Sequence, residues 1–181
     1  MKPTDVLKHE HKIVLAVLEG AEREAQHIQA TGKVDTDKVA KVVDFLRNFV
    51  DKCHHSKEEK RLFPKLQERG MPGDTGPIAV MMHEHALGRN EVAAIADALG
   101  RFTGGDTGAA PPLAEHLLAY AALLCGHIDK ENNVLFAMAD ELLTPADQDQ
   151  LYAAFEAIEA EEIGEGVHEQ YHQFAHELMK H

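Results

Sequence analysis

A ten-residue pattern occurs twice in this chain. HHSKEEKRLF opens at His54 and HIDKENNVLF opens at His127, and both read H-x-x-K-E-x-x-x-L-F. In each copy the histidine and the glutamate lie four residues apart, so on an α-helix they share one side. Each copy also has a forerunner. His9-Glu10-His11 precedes the first, and His83-Glu84-His85 precedes the second at nearly the same interval. The order HEH, H-x-x-K-E, HEH, H-x-x-K-E describes a helix pair duplicated within one chain. Such a chain is expected to fold as two matching helix pairs related by a pseudo-twofold axis.

Glycine and proline mark the breaks between elements, at ATGKVDTD (30–37), ERGMPGDTGP (68–77), RFTGGDTGAAPP (101–112), LLTPAD (142–147) and IGEGV (163–167). The segments between them are rich in Ala, Leu, Glu and Lys, have helical periodicity and show no sustained strand alternation. Helices are predicted at about 4–29, 37–67, 76–100, 111–141, 145–163 and 166–180. Long helices with short connections form antiparallel bundles. The expected fold is therefore all-α: an up-and-down four-helix bundle over 1–141, with residues 142–181 adding helices packed on the same domain.

Projection at 100° per residue sorts the histidines. In the first helix, Leu7, Val14, Leu18, Ala21 and Ala25 form the apolar stripe, with His11 at its edge and His9 opposite. In the third, His85 falls within the stripe and His83 points away. In the fourth, His127 and Glu131 lie in or beside the stripe of Leu113, Leu117, Leu124, Ile128 and Leu135. In the second, His54 and Glu58 flank the stripe of Val39, Val42, Leu46, Val50 and Cys53, while His55 and Glu59 project behind it. Six groups thus aim at one core: His11, His54, Glu58, His85, His127 and Glu131. A lone inward histidine is ordinarily a core residue bonded to a neighbour, but two matching sets containing two buried carboxylates need compensating charge. Lys57 and Lys130 could provide it without metal. The alternative is a metal site.

The net charge is −13, and lysine and arginine do not cluster, which argues against nucleic acid as a partner. No apolar run approaches the ~20 residues of a membrane span. MKPTDVLKHEHK lacks the apolar stretch of a signal peptide, so a cytoplasmic protein is expected. Thirteen histidines are present without a tag-like run, and the two cysteines, Cys53 and Cys125, stand singly. A histidine–carboxylate set without CxxC argues against structural zinc, and the HExxH protease pattern is absent. Six ligands exceed one tetrahedral ion, and two carboxylates from different helices can bridge two ions. Mixed imidazole and carboxylate donors suit iron, with manganese or zinc as substitutes.

The reversed order, His-x-x-x-Glu rather than Glu-x-x-His, resembles the hemerythrin family of HHE cation-binding proteins. The matching stretches are HEHKIVL (9–15), HHSKEEKRLFP (54–64), HEHALGR (83–89) and HIDKENNVLF (127–136). The resemblance implies a non-haem di-iron site bridged by oxygen and two carboxylates, with the six inward groups as ligands. It also implies a small diatomic molecule or peroxide as the exogenous ligand. The function expected is sensing or handling O2, NO or peroxide. The alternatives are a redox enzyme that turns over peroxide or NO, and an iron donor or store for iron–sulfur cluster repair. Oxygen-carrying members have a fifth histidine, which these four motifs do not provide. His168, on the apolar stripe of the last helix, is the expected candidate for that further position.

Overall fold

The computed structural model describes residues 1–164 and 166–180, and among these there is no strand. Helix α1 (Pro3–Thr31) starts where Asp5 accepts from the Lys2 amide at 2.9 Å and Pro3 fills the first turn, where no amide donor is needed. It stops at Gly32, whose φ of 69° only glycine adopts without strain. Helix α2 runs over 36–68, α3 over Gly76–Thr103 and α4 over 110–142. Two further helices follow, α5 (Pro145–Glu162) and α6 (Val167–Met179). The six helices thus fall close to their predicted boundaries. At the head of α5, Thr144 and Asp147 cap each other, and Asp147 also accepts from Arg69 Nε and Nη2 at 2.8 and 2.9 Å. That pair ties the end of α2 to the start of α5.

Cross-helix bonds set the directions. Thr4 of α1 donates to Asp140 of α4, His54 of α2 meets Glu10 of α1, and Arg89 of α3 meets Asp51 of α2. Thr4 and Asp140 bring the start of α1 to the end of α4, and along α1 and α2 Glu10 meets His54 while Glu24 meets Lys38, so these two helices run in opposite directions. The arrangement is an antiparallel hemerythrin-like bundle.

Two helices carry a local departure from α geometry. In α2, Leu46–His55 and Glu58–Leu62 are wound as π-helix, and in α4 so is Glu131–Leu135. The wider i→i+5 turn lowers the angular step per residue, and such segments are frequent at functional sites. The 100° projection places the α2 stripe of Val39, Val42, Leu46, Val50 and Cys53 correctly but misses the inward turn of His55.

The core divides into two apolar clusters. One holds Val14, Val17, Val50, Phe49, Val92, Ile95, Leu124 and Ile128. The other holds Leu7, Leu62, Phe63, Met81, Leu135, Phe136 and Phe155. Along each of α1 to α4, the residues between the two clusters are the charged and imidazole groups. The polar layer is therefore walled by hydrocarbon above and below. The extension joins the same clusters: Phe155 of α5 enters the second, and Ala175 and Leu178 of α6 enter the first. Gly20 permits the close approach of α6, because a Cβ there would stand 3.1 Å from Leu178 Cδ1.

Candidate metal centre

Each letter of the repeated motif has a physical task in the folded chain. The histidines His54 and His127 turn Nε2 into the polar layer, where His54 meets His11 and His127 meets His85. The Nε2–Nε2 separations are 3.0 Å for His11–His54 and 3.2 Å for His85–His127. The glutamates Glu58 and Glu131 lie between the two pairs. Glu58 Oε1 is 3.3 Å from His54 Nε2 and Oε2 is 3.3 Å from His85 Nε2. Glu131 Oε2 is 3.1 Å from His11 Nε2 and Oε1 is 3.2 Å from His127 Nε2. Each carboxylate thus reaches one histidine pair with one oxygen and the other pair with the second. All six side chains are at most 2% exposed.

The motif's lysines do not neutralise these glutamates. Lys57 binds Glu10, and Lys130 binds Glu84, the central residues of the two HEH triplets. The same two glutamates accept from Nδ1 of His54 at 2.7 Å and of His127 at 3.3 Å. The residue after each of Glu58 and Glu131 crosses to the other helix pair. Glu59 accepts from His85 Nδ1 and Asn132 from His11 Nδ1, both at 2.7 Å. The motif's phenylalanines back the rings: Phe136 stacks on His11 at 5.5 Å and Phe63 on His85 at 6.1 Å. Each of the four histidines therefore turns its Nδ1 to an oxygen, so that the neutral ring has Nε2 free to bind, the arrangement used to orient metal-bound imidazole.

The electrostatics follow from this packing. Burial raises the Glu10 carboxyl, but His54 and Lys57 outweigh it and hold it down to about 2. Burial lowers the His54 imidazole, yet Glu58 and Glu10 raise it to about 10. His85 is likewise lowered by burial and raised to about 9 by Glu58 and Glu59. Glu58 is held well below the usual carboxylate range by His54 and His85 against its own desolvation.

A direct fit test is available. All four oxygens of Glu58 and Glu131 are buried without a hydrogen-bond partner, which is costly unless something else compensates them. The Nε2 atoms of facing histidines stand 3.0–3.2 Å apart, where a cation bound to both would take the place of the proton between them. Two adjacent ligands about 2.1 Å from one ion stand roughly 3.0–3.4 Å apart in octahedral or tetrahedral geometry. The observed separations fall in that range. The donors divide into a His11–His54 half and a His85–His127 half, each completed by one oxygen of Glu58 and one of Glu131. Cys53 is no part of the set: burial pushes its thiol up to about 12.

The structure brings six of the seven sequence-predicted site residues together, and His168 does not join them. Its Nε2 stands 3.9 Å from Glu10 Oε1 and its Nδ1 3.8 Å from Glu159 Oε1. Helix α6 lies on the outer side of α1, so Glu10 stands between His168 and His54. The expectation that His55 projects behind α2 also fails. His55 is 4% exposed, and its ring stacks on His85 with centroids 3.8 Å apart. One of its nitrogens falls within the group formed by Glu58, His85 and His127. The π-helical winding of Leu46–His55 turns it inward. Burial and neighbouring His85 lower it to about 4. Projection also missed Glu10, Glu84, Glu59 and Asn132. The duplication itself carried a signal for the first two, since a glutamate recurs inside both HEH triplets.

His9 and His83 are exposed. Replacing either with Ala should leave metal content unchanged, whereas His11→Ala or His85→Ala should lower it. Elemental analysis after desalting checks this, and equal loss from His9→Ala and His11→Ala would contradict the placement.

A family model described as hemerythrin HHE cation binding domain matches residues 2–139. The uncharacterized protein Rv1995 of Mycobacterium tuberculosis is 25% identical over 166 residues, 90% of this chain and 63% of the relative. The iron-sulfur cluster repair protein YtfE of Edwardsiella ictaluri is 30% identical over 139 residues, 73% of this chain and 59% of the relative. The iron-sulfur cluster repair protein DnrN of Neisseria gonorrhoeae is 36% identical over 86 residues, 46% of this chain and 55% of the relative. The chain thus spans less than two thirds of the length of these relatives. No solved structure gives a significant match, and no helix among the described residues is long and apolar enough to cross a membrane.

Proposed function

This chain belongs to the hemerythrin HHE cation-binding family, and from that we propose that it holds two iron ions and handles O2, NO or peroxide there. The observation that carries the reading is the set of four unpartnered carboxylate oxygens facing four imidazole nitrogens. His11, His54, His85 and His127 would bind through Nε2, and Glu58 and Glu131 would each span both ions. A bound pair of irons would supply reversible redox change and a Lewis-acidic position for a small ligand. The protein's part is orientation and dryness. Glu10, Glu59, Glu84 and Asn132 hold the imidazoles in one tautomer, and the two apolar clusters keep water from the layer.

Anaerobic loading should give about two irons per chain. Uptake of a single zinc with no iron would overturn the reading. Ion and proton compete for the same Nε2 lone pairs. Since His54 and His85 hold their protons up to about 10 and about 9, uptake should release protons and tighten as pH rises toward those values. Because ligand binding to the folded state alone adds stability, loading at a hundredfold excess over Kd should raise Tm on the order of 5–10 °C.

A second reading, supply of iron for cluster repair, draws on the names of the YtfE and DnrN relatives. Transfer of iron from the loaded protein to a cluster-deficient acceptor, faster than to buffer chelator, would favour it over ligand handling.

A further inference from the structure

The pseudo-twofold symmetry is breached beside the site. Aligning the two copies on their site histidines pairs Asp51 with Leu124, His55 with Ile128 and Arg89 with Leu15. In the His11–His54 half these positions are apolar, and Leu124 and Ile128 pack into the core. The fold therefore does not require polar groups there. In the His85–His127 half, the polar residues form a connected set. Arg89 donates from Nε to Asp51 at 2.9 Å and from Nη2 to Glu59 at 2.8 Å. Glu59 holds His85, and Asp51 Oδ1 lies 3.3 Å from His55 Nδ1. A cavity of about 280 Å³ opens beside them, lined by Arg47, Asp51, His55, Arg89, Ala93 and Tyr120.

The opposite half is closed in a different way. Lys57 is fully buried and reaches Glu159 of the extension at 3.2 Å. Its counterpart Lys130 has a side chain that is 48% exposed. Among the described residues, the extension thus covers the motif lysine of the His11–His54 side and leaves Lys130 open.

We propose that the cavity is the entrance for the exogenous ligand, and that His55 at its inner end binds a small proton-bearing molecule of the size of hydrogen peroxide. This rests on the metal reading above. Asp51 takes the Nδ1 proton of His55, so Nε2 is an acceptor, and an acceptor favours a ligand that carries a proton. The His55 ring lies against His85, so a molecule at its edge is beside the His85–His127 half.

The test uses the full chain loaded with iron, with iron content measured for every variant. Azide binding followed by stopped flow reports passage. Ala93→Trp fills the mouth of the cavity and should slow azide association at least fivefold with both irons retained. Ala160→Trp fills the separate cavity under the extension, which His168 and Glu159 also line, and should leave the rate within twofold. Slowing by Ala160→Trp but not by Ala93→Trp would overturn the entrance. His55→Ile, which copies the other half, should slow reaction with hydrogen peroxide at least tenfold. His55→Gln retains an acceptor oxygen and should restore most of that rate. Equal behaviour of the two substitutions, or unchanged rates in both, would overturn the role of His55. Failure of the unaltered chain to take up an iron pair would instead sink the metal reading, and the entrance with it.

Discussion

Glu58→Ala should leave a folded protein that no longer retains a pair of ions through desalting. Glu58 contributes one oxygen to each half, at 3.3 Å from His54 Nε2 and 3.3 Å from His85 Nε2. Its loss removes a ligand from both positions and a link between them. Glu131→Ala should act alike, because Glu131 spans His11 and His127 in the same manner. Helical content need not fall, since the substitution removes a carboxylate that has no hydrogen-bond partner. Metal content per chain and circular dichroism, measured on the same sample, check both halves of the expectation. Two ions retained by Glu58→Ala would show that the carboxylate is not a ligand.

Lys57→Ala should destabilise the fold by about 3–5 kcal/mol, the usual cost of removing one partner of a buried ion pair. The side chain is 0% exposed and holds Glu10 and Glu159. Without it Glu10 stays buried with His54 as its remaining partner, and the link from α2 to α5 is cut. For a chain of this size the fall in Tm is on the order of 10 °C or more. Lys130→Ala should cause a much smaller fall, although the two lysines hold the same place in the repeat, because water can solvate the Lys130 end of its pair. Thermal melts of the two variants decide the matter, and equal shifts would contradict the asymmetric role given to the extension.

Much of this was legible in the chain before folding. Gly32, Gly76-Pro77 and Thr144-Pro145 punctuate the helices through local backbone preference, and local preference is what a sequence displays. The inward set of His11, His54, Glu58, His85, His127 and Glu131 followed from periodicity combined with repetition, and the fold brings all six together. His55 and His168 were among the placements that were not legible, each for a physical reason. His55 turned inward because α2 winds as π-helix around the site, a geometry no fixed angular step anticipates. His168 came to rest behind Glu10, although its own helix has an apolar stripe, because periodicity tells which face is buried but not against what.

By itself, then, the sequence determined a duplicated all-α bundle and a histidine–carboxylate layer within it, since both are written in spacings of a few residues. The tertiary structure alone decided who holds whom. Lys57 and Lys130 go to the HEH glutamates rather than to Glu58 and Glu131, Glu59 and Asn132 cross to the opposite helix pair, and the extension buries Lys57 while the other half lies beside a cavity. Those pairings depend on distances between helices far apart in the chain, and only packing sets such distances.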